Sequence, residues 1–273
     1  MHDSSDLPFG RRRQIADRLV RGEAVIATSL ATEFRVSEDA IRRDLRALAS
    51  EGVCKRVYGG ALPTSPASSS IDVRSGEDIE RKRALACAAL RLIRAGQTLF
   101  LDTGSTNLQL AARLPSDLAL TVVTNSVPVA ATLMGRSGIT LVLIGGSVNA
   151  TVGGCVDARS IAELRRFRID LCFLGACAMS VENGVAGFDM ADVDFKRGLL
   201  DVSAHVALML TNTKVGTSAP FHIGPVTDVA HFVFEYDAPV DVLLALRRIG
   251  ADIRVADAPD ATDHPTVHRQ SHK

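Results

Sequence analysis

The sequence predicts an α/β protein in two parts, a small basic helical unit at the N-terminus and a larger unit built on a mostly parallel, Rossmann-like sheet. Three observations carry this reading. Apolar residues run consecutively in TLFL (98–101), LTVVT (120–124), TLVLI (140–144) and VALML (206–210), as in strands covered on both faces. These runs alternate with longer segments of helical period, the order that gives a parallel sheet with right-handed crossovers. Between Gly59 and Gly76 the chain reads GGALPTSPASSSIDVRSG, rich in Gly, Pro and Ser and without apolar periodicity, which is linker composition. A length of 273 residues also exceeds what one core usually organises. The expected division is residues 1–60, a linker at 61–76, a second domain at 77–258 and a disordered tail at 259–273.

Lys plus Arg and Asp plus Glu number 31 each, so overall charge points to no partner. Its distribution is more informative, because residues 11–56 hold eleven basic against seven acidic side chains. The five cysteines form no Cys-x-x-Cys pair and read as reduced, buried small hydrophobes. The opening MHDSSDLPFG lacks a basic patch ahead of an apolar stretch, and no run approaches about 18 apolar residues. Neither signal peptide nor membrane span is expected, and the expected location is cytoplasmic. His264, His268 and His272 recur at four-residue spacing, but Pro265 interrupts the helix that a metal site would need. No metal or cofactor is expected.

In the N-terminal unit, residues 11–21 offer a first helix with Ile15 and Leu19 on one face and Arg11, Arg12, Arg13 and Arg18 largely off it. SLATEF (29–34) suggests a second helix after a cap at Thr28 or Ser29. The turn RVS follows. Ser37 can cap a third helix running to about Ser50 and stopped by Gly52. Ile41, Leu45 and Leu48 form its buried stripe, leaving Arg42, Arg43 and Arg46 outward. VCKRVYGG then suits a wing, a short strand ending at Gly59 and Gly60 that offers Lys55 and Arg56. Helix, short turn and basic helix form a winged helix-turn-helix, whose second element enters the major groove. The candidate DNA contacts are Ser37, Arg42, Arg43, Arg46, Lys55 and Arg56. The alternative is a solvated helix in which Glu38 pairs with Arg42 and Asp39 with Arg43.

In the second unit, strands are predicted at 98–101, 120–124, 140–144, 170–174, 206–210, 229–234 and 253–256. Helices are predicted near 77–94, 107–114, 126–134, 156–167, 191–203 and 239–249. After the first strand comes DTGSTN, a turn that gathers backbone N–H groups and hydroxyls at a helix start, where an oxyanion is the natural occupant. Gly104 lets the backbone approach closely, while Ser105 and Thr106 can donate. Taken alone, the same residues also serve ordinary turn chemistry.

The stretch VSEDAIRRDLRALASEGVCKRVYGGA closely resembles the signature of the DeoR family of bacterial transcriptional repressors, VSxxTIRRDLxxLxxxGxxxRxxGGA. Ala40 replaces the family's Thr, which removes any hydroxyl contact there. The resemblance continues to about Ala258 through the D-x-G-[ST]-T loop, Lys82 and Arg83, Thr124 and Asn125, Gly145 and Gly146, FLGA (173–176), Lys196 and Lys214. It implies an operator-binding regulator that works as a homo-dimer or higher oligomer and senses a phosphorylated sugar or polyol. It also implies an effector domain related to ribose-5-phosphate isomerase. Ligands of parallel sheets sit at the carboxyl ends of strands, so these residues are expected to converge on one pocket. In that pocket Gly104, Ser105 and Thr106 are expected to hold the phosphate with Lys214 as balancing cation, and Asp102 and Asn125 the sugar hydroxyls; the alternative for Asp102 is a cap of the turn.

An isomerase of that fold needs acids after its fourth strand to move protons. Here LGACAMS puts Cys177 and Ser180 in their place, with no histidine nearby in sequence to activate the thiol. Binding without turnover is therefore expected. The alternative is a sugar-phosphate isomerase or deaminase carrying a DNA-binding appendage.

Overall fold

The computed structural model describes residues 8–20, 25–51, 53–57, 59–63 and 70–258. The expected tail at 259–273 and Gly52, the expected helix stop, lie outside the described residues.

The N-terminal unit contains α1 (Pro8–Val20), β1 (Val25–Ile26), α2 (Ala27–Glu33), α3 (Glu38–Ser50), β2 (Cys54–Val57) and β3 (Gly60–Pro63). Its strands form one antiparallel sheet in the order β1-β3-β2. The wing is thus a hairpin rather than a single strand, turned through Gly59 at φ +83°. Gly60 is required by close approach, since a Cβ there would lie 2.0 Å from the Val25 carbonyl oxygen. Ser37 caps α3 by accepting from the Ala40 N–H at 3.2 Å. The predicted stripe is the core: Ile15, Leu19, Ile41, Leu45 and Leu48 are buried with Leu30.

The larger unit begins inside the expected linker. Ile71–Gly76 is a helix, α4, and a left-handed Asp78 at φ +49° separates it from α5 (Ile79–Leu90), so the predicted helix at 77–94 is shorter and preceded by another. Next come β4 (Thr98–Leu101), α6 (Ser105–Ala111), β5 (Leu120–Thr124), α7 (Val127–Leu133), β6 (Ile139–Leu143), β7 (Val148–Asn149), β8 (Gly154–Cys155) and α8 (Ala158–Leu164). They are followed by β9 (Ile169–Leu174), β10 (Ala178–Ser180), β11 (Gly184–Gly187), α9 (Met190–Val202), β12 (Ser203–Leu210), β13 (Phe221–Gly224), β14 (His231–Phe234), α10 (Val240–Arg248) and β15 (Asp252–Val255).

Seven of these strands form one parallel sheet, ordered β15-β14-β12-β9-β4-β5-β6. The apolar runs follow from burial on both faces. Leu99 and Leu101 point into one core cluster and Phe100 into the other, each fully buried. The antiparallel β10-β11-β13 sheet and the β7-β8 ribbon have no counterpart in the sequence reading, because short Gly-containing strands carry no detectable period.

The sheet order places the site. The chain builds β4, β5 and β6 outward in one direction, then returns to lay β9 against the other edge of β4 and continues to β15. Strand order reverses between β4 and β9, and it is beyond the carboxyl ends of strands at such a point that open α/β sheets form a ligand crevice.

Candidate functional site

The crevice is organised around Asp102, which is fully buried just after β4. One carboxylate oxygen accepts from the Thr103 N–H at 2.7 Å. The other accepts from the Gly175 N–H at 2.8 Å and pairs with the Lys196 ammonium at 2.9 Å. Lys196, itself buried, also pairs with Asp192 at 2.6 Å one helical turn away and contacts Thr103 Oγ1 at 3.3 Å. Burial alone would lower the Lys196 pKa, but Asp102 and Asp192 outweigh it and hold the ammonium above its ordinary value. Asn107 ties the turn down further, its Nδ2 donating to the carbonyls of Asp102 and Phe173 at 3.0 and 2.8 Å.

These contacts change the reading of two candidates. Asp102 and Lys196 spend their charges on each other and on the strand β4–β9 junction, so the sugar-hydroxyl role expected of Asp102 has no free oxygen to serve it. Thr124 is likewise internal: its hydroxyl donates to Leu101 O at 2.6 Å and accepts from the Ser126 N–H at 3.0 Å.

The other candidates at these strand ends form a different set. Gly104 holds φ +147°, a conformation that a side chain resists, and opens α6. Thr106 is buried with an unpartnered Oγ1, and Asn125 is fully buried with an unpartnered Oδ1. Its Nδ2 donates to Cys155 O at 3.2 Å. Orphaned buried polar atoms are costly, so two beside one turn imply that something completes them. Ser105, between Gly104 and Thr106, is buried as well.

Lys214 follows β12 in a short 3-10 turn and is half-buried. Its ammonium has no hydrogen bond or ion pair among the described residues. Burial pulls its pKa down to about 8; the neighbouring Cys177 opposes this, and Arg74, Lys82 and Lys196 add smaller downward pushes. A buried ammonium without a counter-charge among the described residues is costly to keep charged.

Gly145 and Gly146 sit on the exposed rim after β6. Gly146 is a packing glycine, because a Cβ would lie 2.4 Å from Ser160 Oγ. Ser160 also donates to Gly145 O at 2.9 Å, and Asp157 caps α8 with its carboxyl held well below the usual range by the N–H groups of Ser147 and Ser160. Cys177 lies where β9 leads into the β10–β11 hairpin, and the Ser180 hydroxyl accepts from the Asn183 N–H at 3.0 Å within that hairpin's turn.

Sequence reasoning missed Asp192, Asn107, Gly154 and Gly175. Asp192 and Lys196 stand four apart on a predicted helix, a signal that was available. Gly154 and Gly175 are needed for close approach, with a Cβ falling 2.5 Å from Asn125 O and 2.2 Å from Thr103 O respectively. Nothing in the local sequence reveals that.

In the N-terminal unit, Arg11 is buried against Asp44 at 2.7 Å and Arg18 forms ion pairs with Glu33, so neither is the outward arginine that the helical period suggested. Arg42 pairs with Glu38 at 2.8 Å and with Asp39 at 3.5 Å. The anticipated pair between Asp39 and Arg43 does not form: Arg43 Nε donates to the Asp39 carbonyl at 3.3 Å instead, and Arg46 Nε to the Arg42 carbonyl at 3.2 Å. Both side chains are exposed with their terminal nitrogens unengaged among the described residues. Arg56 is exposed on β2, while the Lys55 side chain lies outside what the structure describes. Among the described residues, no helix is long and apolar enough to cross a membrane.

Known proteins match both units. The DeoR-like helix-turn-helix domain matches residues 11–66, and the DeoR C terminal sensor domain matches residues 77–236. The glycerol-3-phosphate regulon repressor of Escherichia coli is 31% identical over 84% of this chain and 91% of its own. The HTH-type transcriptional regulator GolR of Listeria innocua is 32% identical over 77% and 83%, and a putative aga operon transcriptional repressor of Escherichia coli is 28% identical over 89% and 92%. A ribose 5-phosphate isomerase from Methanocaldococcus jannaschii is similar over 51% of this chain and 55% of that one, with 16% identity and a TM-score of 0.39. The two matched domains, and the extent of the likeness to whole repressors, place this chain in the DeoR family of DNA-binding transcriptional repressors, regulators rather than enzymes.

Proposed function

We propose that this chain represses genes of carbohydrate or polyol use, binding an operator through α3 and the wing. A phosphorylated sugar or polyol, bound beyond the carboxyl ends of β4, β5 and β12 and not turned over, controls it. The observation that carries the ligand reading is the set of unsatisfied groups: Lys214 without a counter-ion, and the orphaned Thr106 Oγ1 and Asn125 Oδ1 beside Gly104. A phosphate supplies charge to the first and hydrogen-bond partners to the others. The relatives named for glycerol-3-phosphate and for the aga operon support the same class. Gly104, Ser105, Thr106, Asn125 and Lys214 contact the effector in this reading. Asp102, Thr124, Lys196, Gly145 and Gly146 hold the shape of the crevice.

A thermal-shift panel of sugar and polyol phosphates, including glycerol 3-phosphate and inorganic phosphate, tests it. At least one member is expected to raise the melting temperature and change operator affinity without being consumed. A panel that leaves the melting temperature unmoved, or turnover of a member, would overturn the reading.

On the DNA side, Arg43 and Arg46 carry the contacts, with Ser37 placed at the helix start and Arg56 on the wing. One such module makes few contacts, so a homo-dimer or higher oligomer reading paired half-sites in the cytoplasm is part of the proposal. Arg43→Ala is expected to weaken operator binding by about 1–3 kcal/mol, with the effector-induced thermal shift retained. Fluorescence anisotropy over a salt series checks this, and wild-type affinity would remove Arg43 from the interface.

A further inference from the structure

The two outer strands of the seven-stranded sheet, β15 and β6, are built differently. Along β15, Asp252 and Arg254 alternate with Ile253 and Val255, and the Asp252 carboxylate meets His231 Nδ1 at 2.9 Å and Arg254 Nε at 3.5 Å. Charged side chains of this kind keep an edge strand from pairing with another chain. β6 reads Ile-Thr-Leu-Val-Leu (139–143), with no charge, no proline and an unbroken register against β5. An apolar edge left bare is an aggregation hazard, so it calls for a cover.

The bonds to β5 fix which backbone groups of β6 point outward. Gly138 O accepts from the Leu120 N–H at 3.1 Å, and the Ile144 N–H donates to Thr124 O at 2.8 Å, so residues 138, 140, 142 and 144 face β5. Ile139, Leu141 and Leu143 therefore turn their N–H and C=O groups away from the sheet, where these groups have no partner among the described residues. The three side chains share one face of the strand, the face that α7 covers: Ile139 and Leu141 pack into the cluster that holds Val129 and Leu133 of that helix. Leu143, the last of the row, is 48% exposed. Val127 at the start of α7 and Met134 at its exit are exposed too.

This strand is complementary to itself. Laid antiparallel to a second copy with Leu141 opposite Leu141, it sets Ile139 opposite the second copy's Leu143. Residues opposite each other at such positions exchange both N–H···O bonds, so every outward group of the row finds its partner. On the other face Thr140 meets Val142, and no cross-strand pair brings like charges together. Strand pairing over five residues buries little against the roughly 1,000 Å² that a specific interface clears, and Val127, Met134 and Leu143 add apolar surface on the α7 flank.

We propose that β6 is a dimerisation edge: two copies of this chain pair antiparallel through residues 139–143 about a two-fold axis at Leu141, joining their sheets into one. The contact uses the free apolar edge of each copy, and the charged β15 strands end the joined sheet, so the assembly closes instead of growing. Pairing through β6 rests on the homo-oligomer proposed above and names its surface. The occupant that this chain could supply itself, residues 259–273, reads PDATDHPTVHRQSHK and has no apolar run to match the edge.

The test uses the full-length chain. Sedimentation equilibrium measures the assembly of wild type, Leu143→Asp and Leu143→Pro. Both substitutions replace an exposed side chain, and the proline removes an N–H that points away from β5, so the single chain keeps its fold. Wild type is expected to be a dimer or an even multiple of one, and each variant to weaken the association at least tenfold. Residue-resolved hydrogen exchange of wild type is expected to slow at least tenfold at the amides of 139, 141 and 143 when the concentration is raised through the association midpoint. Wild-type assembly in either variant that folds, or outward amides that still exchange freely in the oligomer, overturns the β6 interface and leaves the oligomeric reading standing. Amides already protected in the monomer also overturn it, in favour of the chain's own tail if removing residues 259–273 releases them. Where neither variant folds, as judged by circular dichroism, the wild-type exchange decides alone. A wild-type chain that stays monomeric at every concentration, with and without operator DNA, removes the oligomeric reading and the β6 interface together.

Discussion

Lys214→Gln is expected to weaken binding of a phosphorylated effector by roughly ten- to a hundred-fold while operator binding persists, because a hydrogen bond to a charged group contributes about 1.5–3 kcal/mol. Glutamine is one atom shorter but keeps a donor and removes the charge, so the loss reports mainly the ion contact. The wild-type protein should show the same contact as a pH dependence. Burial and neighbouring cations bring the Lys214 pKa down to about 8 in the free protein, below its value in the unfolded chain. Between those two values the unfolded chain binds more protons, so the stability of the unliganded protein rises with pH across that window. A bound phosphate favours the charged ammonium, so binding takes up a proton there and affinity falls as pH rises through about 8. Phosphate esters are already dianionic across this range, their second pKa being about 6, so the ligand's own titration does not mimic the effect. Titration calorimetry in buffers of differing ionisation enthalpy, at pH values either side of 8, measures the uptake. Equal affinity in Lys214→Gln and wild type, or no proton uptake, would place the anion elsewhere.

Asp102→Ala is expected to cost about 3–5 kcal/mol of stability, as removal of one partner from a buried ion pair does, since the other charge stays desolvated. The N–H groups of Gly175 and Thr103 lose their acceptor at the same time, and the junction of β4 with β9 loses its tie. Asp192 remains to pair with Lys196, which places the cost toward the lower end. The denaturant midpoint measures it. A loss below about 1 kcal/mol, the range of an exposed pair, would mean that the carboxylate is not what holds the crevice in shape.

The two predictions divide residues that the sequence presents as equals. Asp102, Lys196 and Lys214 all stand at strand or helix positions consistent with a ligand, and all belong to motifs shared with the family. Lys196 and Asp102 are consumed by the fold, whereas Lys214 is left over. Arg11 and Arg43 differ in the same way: each lies in a basic helical segment, yet Arg11 is sealed against Asp44 and Arg43 stands in solvent. A count of basic residues cannot separate them.

The sequence by itself determined what depends on near neighbours along the chain. Consecutive apolar residues located β4 and β5 to the residue, Ser37 announced the start of α3, and Asp-Thr-Gly-Ser-Thr announced a polar turn. Hydrophobic period, capping and turn chemistry act over a few residues, so a few residues encode them. Tertiary structure decided which charges are neutralised and which polar atoms are left without partners. It brought Lys196 to Asp102 and Arg11 to Asp44. Those outcomes depend on desolvation and on contacts between distant segments, and both come into being only when the sheet closes its order around β4 and β9.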